Sequence, residues 1–130
     1  MSAGGIRARV RAELTKEIAD VARRHLAESG AAGLSLRAVA RELGMASSAV
    51  YRYFPSRDDL LTALIVDAYD AIGAAAEAAD REAGPDLRER WRAVCFAVRG
   101  WALAHPHEWA LVYGSPVPGY SAPRTTVQPA

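Results

Sequence analysis

Ser47, Ser48 and Ala49, followed at once by Tyr51, Arg52 and Tyr53, are the residues of this chain whose types and spacing suggest chemistry. Three small side chains in a row let a backbone approach a partner closely. Serine hydroxyls donate to or accept from base edges, and the Ala49 methyl can touch a thymine methyl. Tyrosine hydroxyls bind phosphates, and an arginine at 52 can reach a phosphate or a guanine. Ser35, Arg37 and Arg57 lie nearby in sequence with similar donors. This chemistry suits holding a polyanion and reading bases along a groove.

A major groove admits one α-helix, with the N-terminal residues of that helix nearest the bases. The reading residues therefore need a short helix held in place by others. Ser35 can N-cap a helix in which Leu36, Val39, Ala40 and Leu43 face inward. Gly44 ends it at a position that needs a positive φ. A second short helix is predicted over 47–54, with Val50 and Phe54, four apart, pointing into the core and Pro55 stopping it. Ser56 to Asp59 matches a capping box. It opens a helix to about residue 79, with Leu60, Leu61, Leu64, Ile65, Ala68, Tyr69 and Ile72 as its stripe. Arg57 in the first turn opposes the helix dipole at a cost of about 0.3–1 kcal/mol, which a phosphate partner would offset.

Before this unit, a helix over 7–29 carries Val10, Leu14, Ile18, Val21, Ala22 and Leu26 at steps of three and four, and Gly30 is its stop. After Gly84-Pro85-Asp86, a helix over 87–104 gathers Trp91, Val94, Cys95, Val98, Trp101 and Ala102 on one side, and a short helix follows over 107–113. Residues 114–130 read as a loop. Helical spacing recurs throughout and alternating strand patterns are absent, so the fold class is all-α.

The length suits about one domain, and the net charge is +1. That balance hides an asymmetry: residues 1–57 hold ten Lys/Arg against five Asp/Glu, and residues 58–130 hold six against ten. Only the first half is suited to a polyanion. No apolar run approaches the roughly 20 residues of a membrane span, and the N-terminus has no signal-peptide core, so a cytoplasmic location is expected. Cys95, the single cysteine, excludes an internal disulfide and reads as a small core hydrophobe. No two of His105, His107 and Glu108 stand at i,i+4, and Pro106 intervenes, so no metal site is expected. His105 before Pro106 shapes a turn. No nucleophile–base pair, phosphate loop or carboxylate pair is visible, so neither an enzyme nor a cofactor is expected.

The pieces SLRAVARELGM, VYRYF and SRDDLL, within residues 18–64, resemble the N-terminal domain of the TetR family of bacterial transcriptional repressors. The resemblance implies that Arg37 contacts a base or phosphate, that Ser47, Ser48, Ala49 and Arg52 face the groove, and that Tyr51, Tyr53 and Arg57 hold phosphates. Ser35, like Arg37, lies at a helix start where backbone contacts are expected. Many relatives carry histidine where this chain has Tyr53, which can bind a phosphate but cannot gain charge. Trp101 and HPHEWALVYGSPVPGYSAP from His105 are similar to WHG-type C-terminal domains of the family, helical units that bind an effector and dimerise. Trp101, His105, Trp109 and Tyr113 are the candidate effector-binding residues. For the aromatic ones, and for Trp91, plain core packing remains the alternative.

The implied organisation is a three-helix helix-turn-helix DNA-binding domain over 1–57, then a long fourth helix and an incomplete helical domain over 58–130. The family continues with further long helices, two of which form a four-helix dimer interface. This sequence stops at TTVQPA, with Thr125, Thr126 and Pro129 at the opening of a helix. A homodimer is implied by the family, and the shortened chain argues against one here. The implied function is a sequence-specific DNA-binding transcriptional regulator: a repressor that holds a palindromic double-stranded operator and is released by a small-molecule effector. The alternative from another class is a helical ligand- or protein-binding module with a vestigial helix-turn-helix.

Overall fold

The computed structural model describes residues 2–128, and the described residues form six α-helices and no strand. The helices are α1 (Ala3–Ser29), α2 (Leu36–Glu42), α3 (Ser47–Val50), α4 (Arg57–Glu82), α5 (Leu87–Ala104) and α6 (Pro106–Tyr113). Short 3₁₀ turns occupy Ala31–Gly33 and Arg124–Val127. The chain divides into two compact units, Met1–Ala63 and Leu64–Ala130.

In the first unit, local chemistry sets the helix ends where the sequence predicts them. Ser35 Oγ accepts the Ala38 amide at 3.2 Å. Gly44 turns the chain with φ +66°, a conformation costing other L-residues roughly 1–2 kcal/mol. Ser56 Oγ accepts the Asp59 amide at 3.1 Å and donates to the Asp59 carboxylate at 2.7 Å. α1 packs on α2, and α2 on α3. Ile18, Ala22 and Leu26 of α1, Leu36, Val39 and Ala40 of α2, Val50 of α3, Phe54, and Leu60 and Leu61 of α4 are all buried. Each large aliphatic among them contributes about 1.5–3 kcal/mol by leaving water.

Three local expectations change. α1 begins at Ala3, because Ser2 Oγ caps it by accepting the Gly5 amide at 3.3 Å. Its buried stripe starts only at Ile18, for Val10 is 48% exposed and Leu14 half-buried. α3 is regular only to Val50. Tyr51–Tyr53 continue it as turns, the amides of Tyr53 and Phe54 both donating to the Val50 carbonyl at 2.9 and 3.1 Å.

In the second unit α4 runs to Glu82, three residues beyond the expected end, with Leu64, Ile65, Ala68 and Ile72 buried. Asp86 caps α5 by accepting the Arg88 amide at 3.0 Å. Arg90 forks onto the Asp80 carboxylate with two bonds of 2.8 Å, which fastens the start of α5 to the end of α4. α5 packs on α6, yet neither helix contributes a buried residue. Of the predicted α5 stripe, Val94, Val98, Trp101 and Ala102 are half-buried, and Trp91 and Cys95 are exposed. Cys95 is exposed and is therefore not a core residue. Within the C-terminal stretch Thr126 is buried, its hydroxyl donating to the Pro123 carbonyl at 2.8 Å. Pro129 lies outside the described residues.

Candidate nucleic-acid interface

Val50 and Phe54 set the rotation of the α3 segment. Both are buried, at 0% and 6% exposure, so the opposite side must face outward. Ser48, Tyr51 and Arg52 lie on that outer side and are exposed, while Ser47, Ala49 and Tyr53 are half-buried. Ser48, Tyr51 and Arg52, at i, i+3 and i+4, form one narrow polar strip. The small first turn anticipated from the sequence is thus presented through Ser48 more than through its neighbours.

The start of α2 comes up beside this strip. Leu34, Ser35, Leu36, Arg37, Tyr51 and Arg57 line a cleft of about 300 Å³. Four of the nine residues singled out from the sequence therefore share one concave surface: Ser35, Arg37, Tyr51 and Arg57. Arg37 is exposed. The Ser35 hydroxyl accepts from the Ala38 amide, which leaves its own proton free to donate.

Arg57 departs from its expected place. Its guanidinium turns back onto the backbone, with Nε donating to the Leu34 carbonyl at 3.1 Å and Nη2 to the Ala31 carbonyl. The first turn of α4 is unfavourable for a cation, and these two carbonyl dipoles offset that cost without any phosphate. Arg57 is therefore a brace between the α4 start and the segment that leads into α2. Three of the five guanidinium donors are left over for the cleft.

Tyr53 has a partner that the sequence reading missed. The Arg11 guanidinium lies 5.0 Å from its ring centroid, and Arg11 Nη2 donates to the Arg52 carbonyl at 3.0 Å. The signal available in the sequence was only the run of arginines at 7, 9 and 11. A second pairing holds α1 to the end of α2. Arg24 grips the Glu42 carboxylate bidentately, with Nη1 to Oε1 at 2.7 Å and Nη2 to Oε2, and His25 Nε2 stands 3.3 Å from Oε1. The Arg24 hydrogen bond, helped by His25, lowers the Glu42 pKa to about 2.

The candidate effector residues do not share one surface. Trp109 lines an apolar groove of about 520 Å³ on α5 and α6, together with Trp91, Val94, Cys95, Val98, Arg99, Ala102 and Leu103. Trp101 and His105 instead stack on each other, centroids 4.6 Å apart, and His105 Nδ1 lies 3.0 Å from the Trp101 carbonyl. Tyr113 meets Trp109 at 4.5 Å and the edge of Tyr69 at 6.0 Å. Arg99 and Leu103 were missed, although their helical spacing from Trp91 and Cys95 pointed to them.

Residues 18–64 match the sequence profile described as bacterial regulatory proteins, tetR family. Residues 91–130 match the profile described as tetracyclin repressor-like, C-terminal domain. The chain is 52% identical over 123 residues to the HTH-type transcriptional regulator Rv1816 of Mycobacterium tuberculosis, covering 92% of this chain and 51% of that protein. It is 36% identical over 85 residues to the HTH-type transcriptional repressor LfrR of Mycolicibacterium smegmatis, covering 65% of this chain and 44% of the repressor. The crystal structure of SCO4313 superposes with a TM-score of 0.82 at 41% identity, over 94% of this chain and 58% of the other. The chain thus spans about half the length of the curated relatives it matches.

Proposed function

The chain belongs to the TetR family of bacterial regulatory proteins, and from that premise we propose that it is a DNA-binding transcriptional regulator acting through α2 and α3. The observation that carries this reading is the outward strip of Ser48, Tyr51 and Arg52 beside the cleft lined by Ser35, Arg37, Tyr51 and Arg57. Donors to phosphate and donors to bases are adjacent there on a rigid scaffold. Such a surface positions itself through phosphates and reads through base edges. Ser48 and Arg52 are assigned to the bases. Ser47 and Ala49 provide the close approach that small residues permit. Arg37, Tyr51 and Ser35 are assigned to phosphates, with the spare donors of Arg57 and the Tyr53 hydroxyl beside them.

The regulator is proposed to work in the cytoplasm and as a repressor, the role that the name of LfrR gives that relative. A dimer would read two half-sites of a palindrome. A ligand favouring a different spacing of the two reading helices would release it. The apolar groove on α5 and α6, with Arg99 at its edge, supports a ligand-binding role for the second unit. That groove also favours the alternative of a ligand-binding module whose helix-turn-helix no longer reads DNA.

A salt-titrated gel shift on genomic fragments separates the two. The regulator binds tightly to few fragments, and its log K falls linearly with log salt. Tyr51→Phe and Arg37→Ala weaken binding to every sequence, whereas Arg52→Ala changes base preference by about 1–3 kcal/mol at one position. Salt-independent or absent binding would leave only the module.

A further inference from the structure

The first three turns of α1 have no structural reason to be helical on their own. Every residue from 2 to 13 is exposed, including Ile6 at 51% and Val10 at 48%. Gly4 and Gly5 stand in the first turn, and glycine is a poor helix former. An isolated helix of this length is marginal in water, and most helices are stabilised by a packed face. This one has no buried residue before Ile18 among the described residues. It also lacks any acid near its positive dipole end: residues 2–12 contain Arg7, Arg9 and Arg11, and Glu13 is the first carboxylate.

Arg11 ties it to the reading segment. Arg11 donates from Nη2 to the Arg52 carbonyl at 3.0 Å and places its guanidinium over the Tyr53 ring. These partners close the C-terminal end of the reading segment. The attachment spans 41 residues of sequence and joins the basic arm to the strip that presents Ser48 and Arg52. Arg7 stands about one turn before Arg11 on the same helix face, about 6 Å further along the axis.

We propose that residues 3–13 are a second DNA-contacting element, in which Arg7 binds a backbone phosphate beside the groove that α3 enters and Arg11 positions the arm against α3. The proposal rests on the DNA-binding reading above and adds a contact outside the stretch 18–64 that carries the family match. A phosphate is the fitting partner because Arg7 is exposed with no acid three or four positions away on its helix, and because the anchor at Arg11 places it next to the reading segment. Arg11 acts through Arg52 and Tyr53 and is a positioning residue.

The test is fluorescence anisotropy of a labelled random-sequence duplex, titrated with the full chain at several NaCl concentrations. The variants are Arg7→Ala, Arg11→Ala, the double variant, and Arg37→Ala as a contact on α2. Loss of one phosphate contact lowers the slope of log K against log salt by about 0.9, which at 0.1 M salt corresponds to roughly eightfold weaker binding. Arg7→Ala is expected to show that change at unaltered helicity. Arg11→Ala is expected to show a similar loss, with Arg7→Ala adding almost nothing in that background. A structural role alone would leave the salt slope in place. If Arg37→Ala lowers the slope and Arg7→Ala does not, the arm is no DNA contact and the helix-turn-helix reading stands. If the effects of Arg7→Ala and Arg11→Ala simply add, Arg11 does not position the arm. If the unaltered chain shows no salt-dependent binding, both readings fall.

Discussion

Replacing Arg57 by lysine separates two roles that the sequence had merged. A lysine keeps the charge that a phosphate would need, but it lacks the planar pair of nitrogens, Nε and Nη2, through which Arg57 reaches the carbonyls of Leu34 and Ala31. Hydrogen bonds from a charged donor contribute about 1.5–3 kcal/mol each, so two give about 3–6 kcal/mol if fully buried. Arg57 is half-buried, and water competes for both carbonyls, which reduces the figure by about half. Arg57→Met further relieves a dipole mismatch of about 0.3–1 kcal/mol. The expected loss is therefore about 0.5–2.7 kcal/mol for Arg57→Met, and of similar size for Arg57→Lys, which keeps the dipole mismatch but can retain one of the bonds. With a urea m-value of about 1–3 kcal/mol/M, the midpoint moves down by roughly 1 M. The assay is urea unfolding followed by circular dichroism, with DNA affinity measured on the same samples well below the transition. If both variants keep the original midpoint, the two carbonyl contacts of Arg57 contribute nothing to stability. If Arg57→Lys loses stability while retaining the salt slope, the arginine was selected for its fork and the phosphate is served by charge alone.

Other perturbations test the scaffold. Gly44→Ala forces a Cβ into φ +66° and should cost about 1–2 kcal/mol in thermal unfolding; an unchanged Tm would mean that the α2–α3 turn adopts another conformation in solution. Glu42, with its pKa lowered from 4.5 to about 2 by Arg24 and then His25, links α1 to α2 in a pH-dependent way. Its contribution is complete above pH 4.5 and is lost as pH falls towards 2, because protonation in the unfolded chain comes first. A carboxyl NMR titration should find the Glu42 midpoint near 2, and Glu42→Gln should be less stable than the parent at neutral pH but converge with it in acid. A Glu42 midpoint near 4.5 would mean that the pairing seen here is not populated.

The helix ends and the faces of α2, α3 and early α4 were legible from residues within four positions of each other. Ser35, Gly44 and the Ser56–Asp59 pair act locally, so their types at those spacings were enough. The inward pair Val50 and Phe54 was legible for the same reason, and it gave the outward strip. The periodicity failed where it had no partner to act on. Val10 continues the stripe of α1 in sequence, but it is 48% exposed. The spacing of the aromatic stripe of α5 predicts core or pocket, and the structure gives it a groove with Trp91 and Cys95 exposed.

The sequence by itself determined an all-α chain with a helix-turn-helix near its start, because caps, turns and helical periodicity are short-range. Only the tertiary structure decided what the arginines do. Arg57 meets carbonyls 23 and 26 residues away, Arg24 meets Glu42 across 18, and Arg11 meets Arg52 across 41. A guanidinium fits a phosphate, a carboxylate, a carbonyl or an aromatic face. Its residue type therefore leaves the partner open until folding brings one within reach.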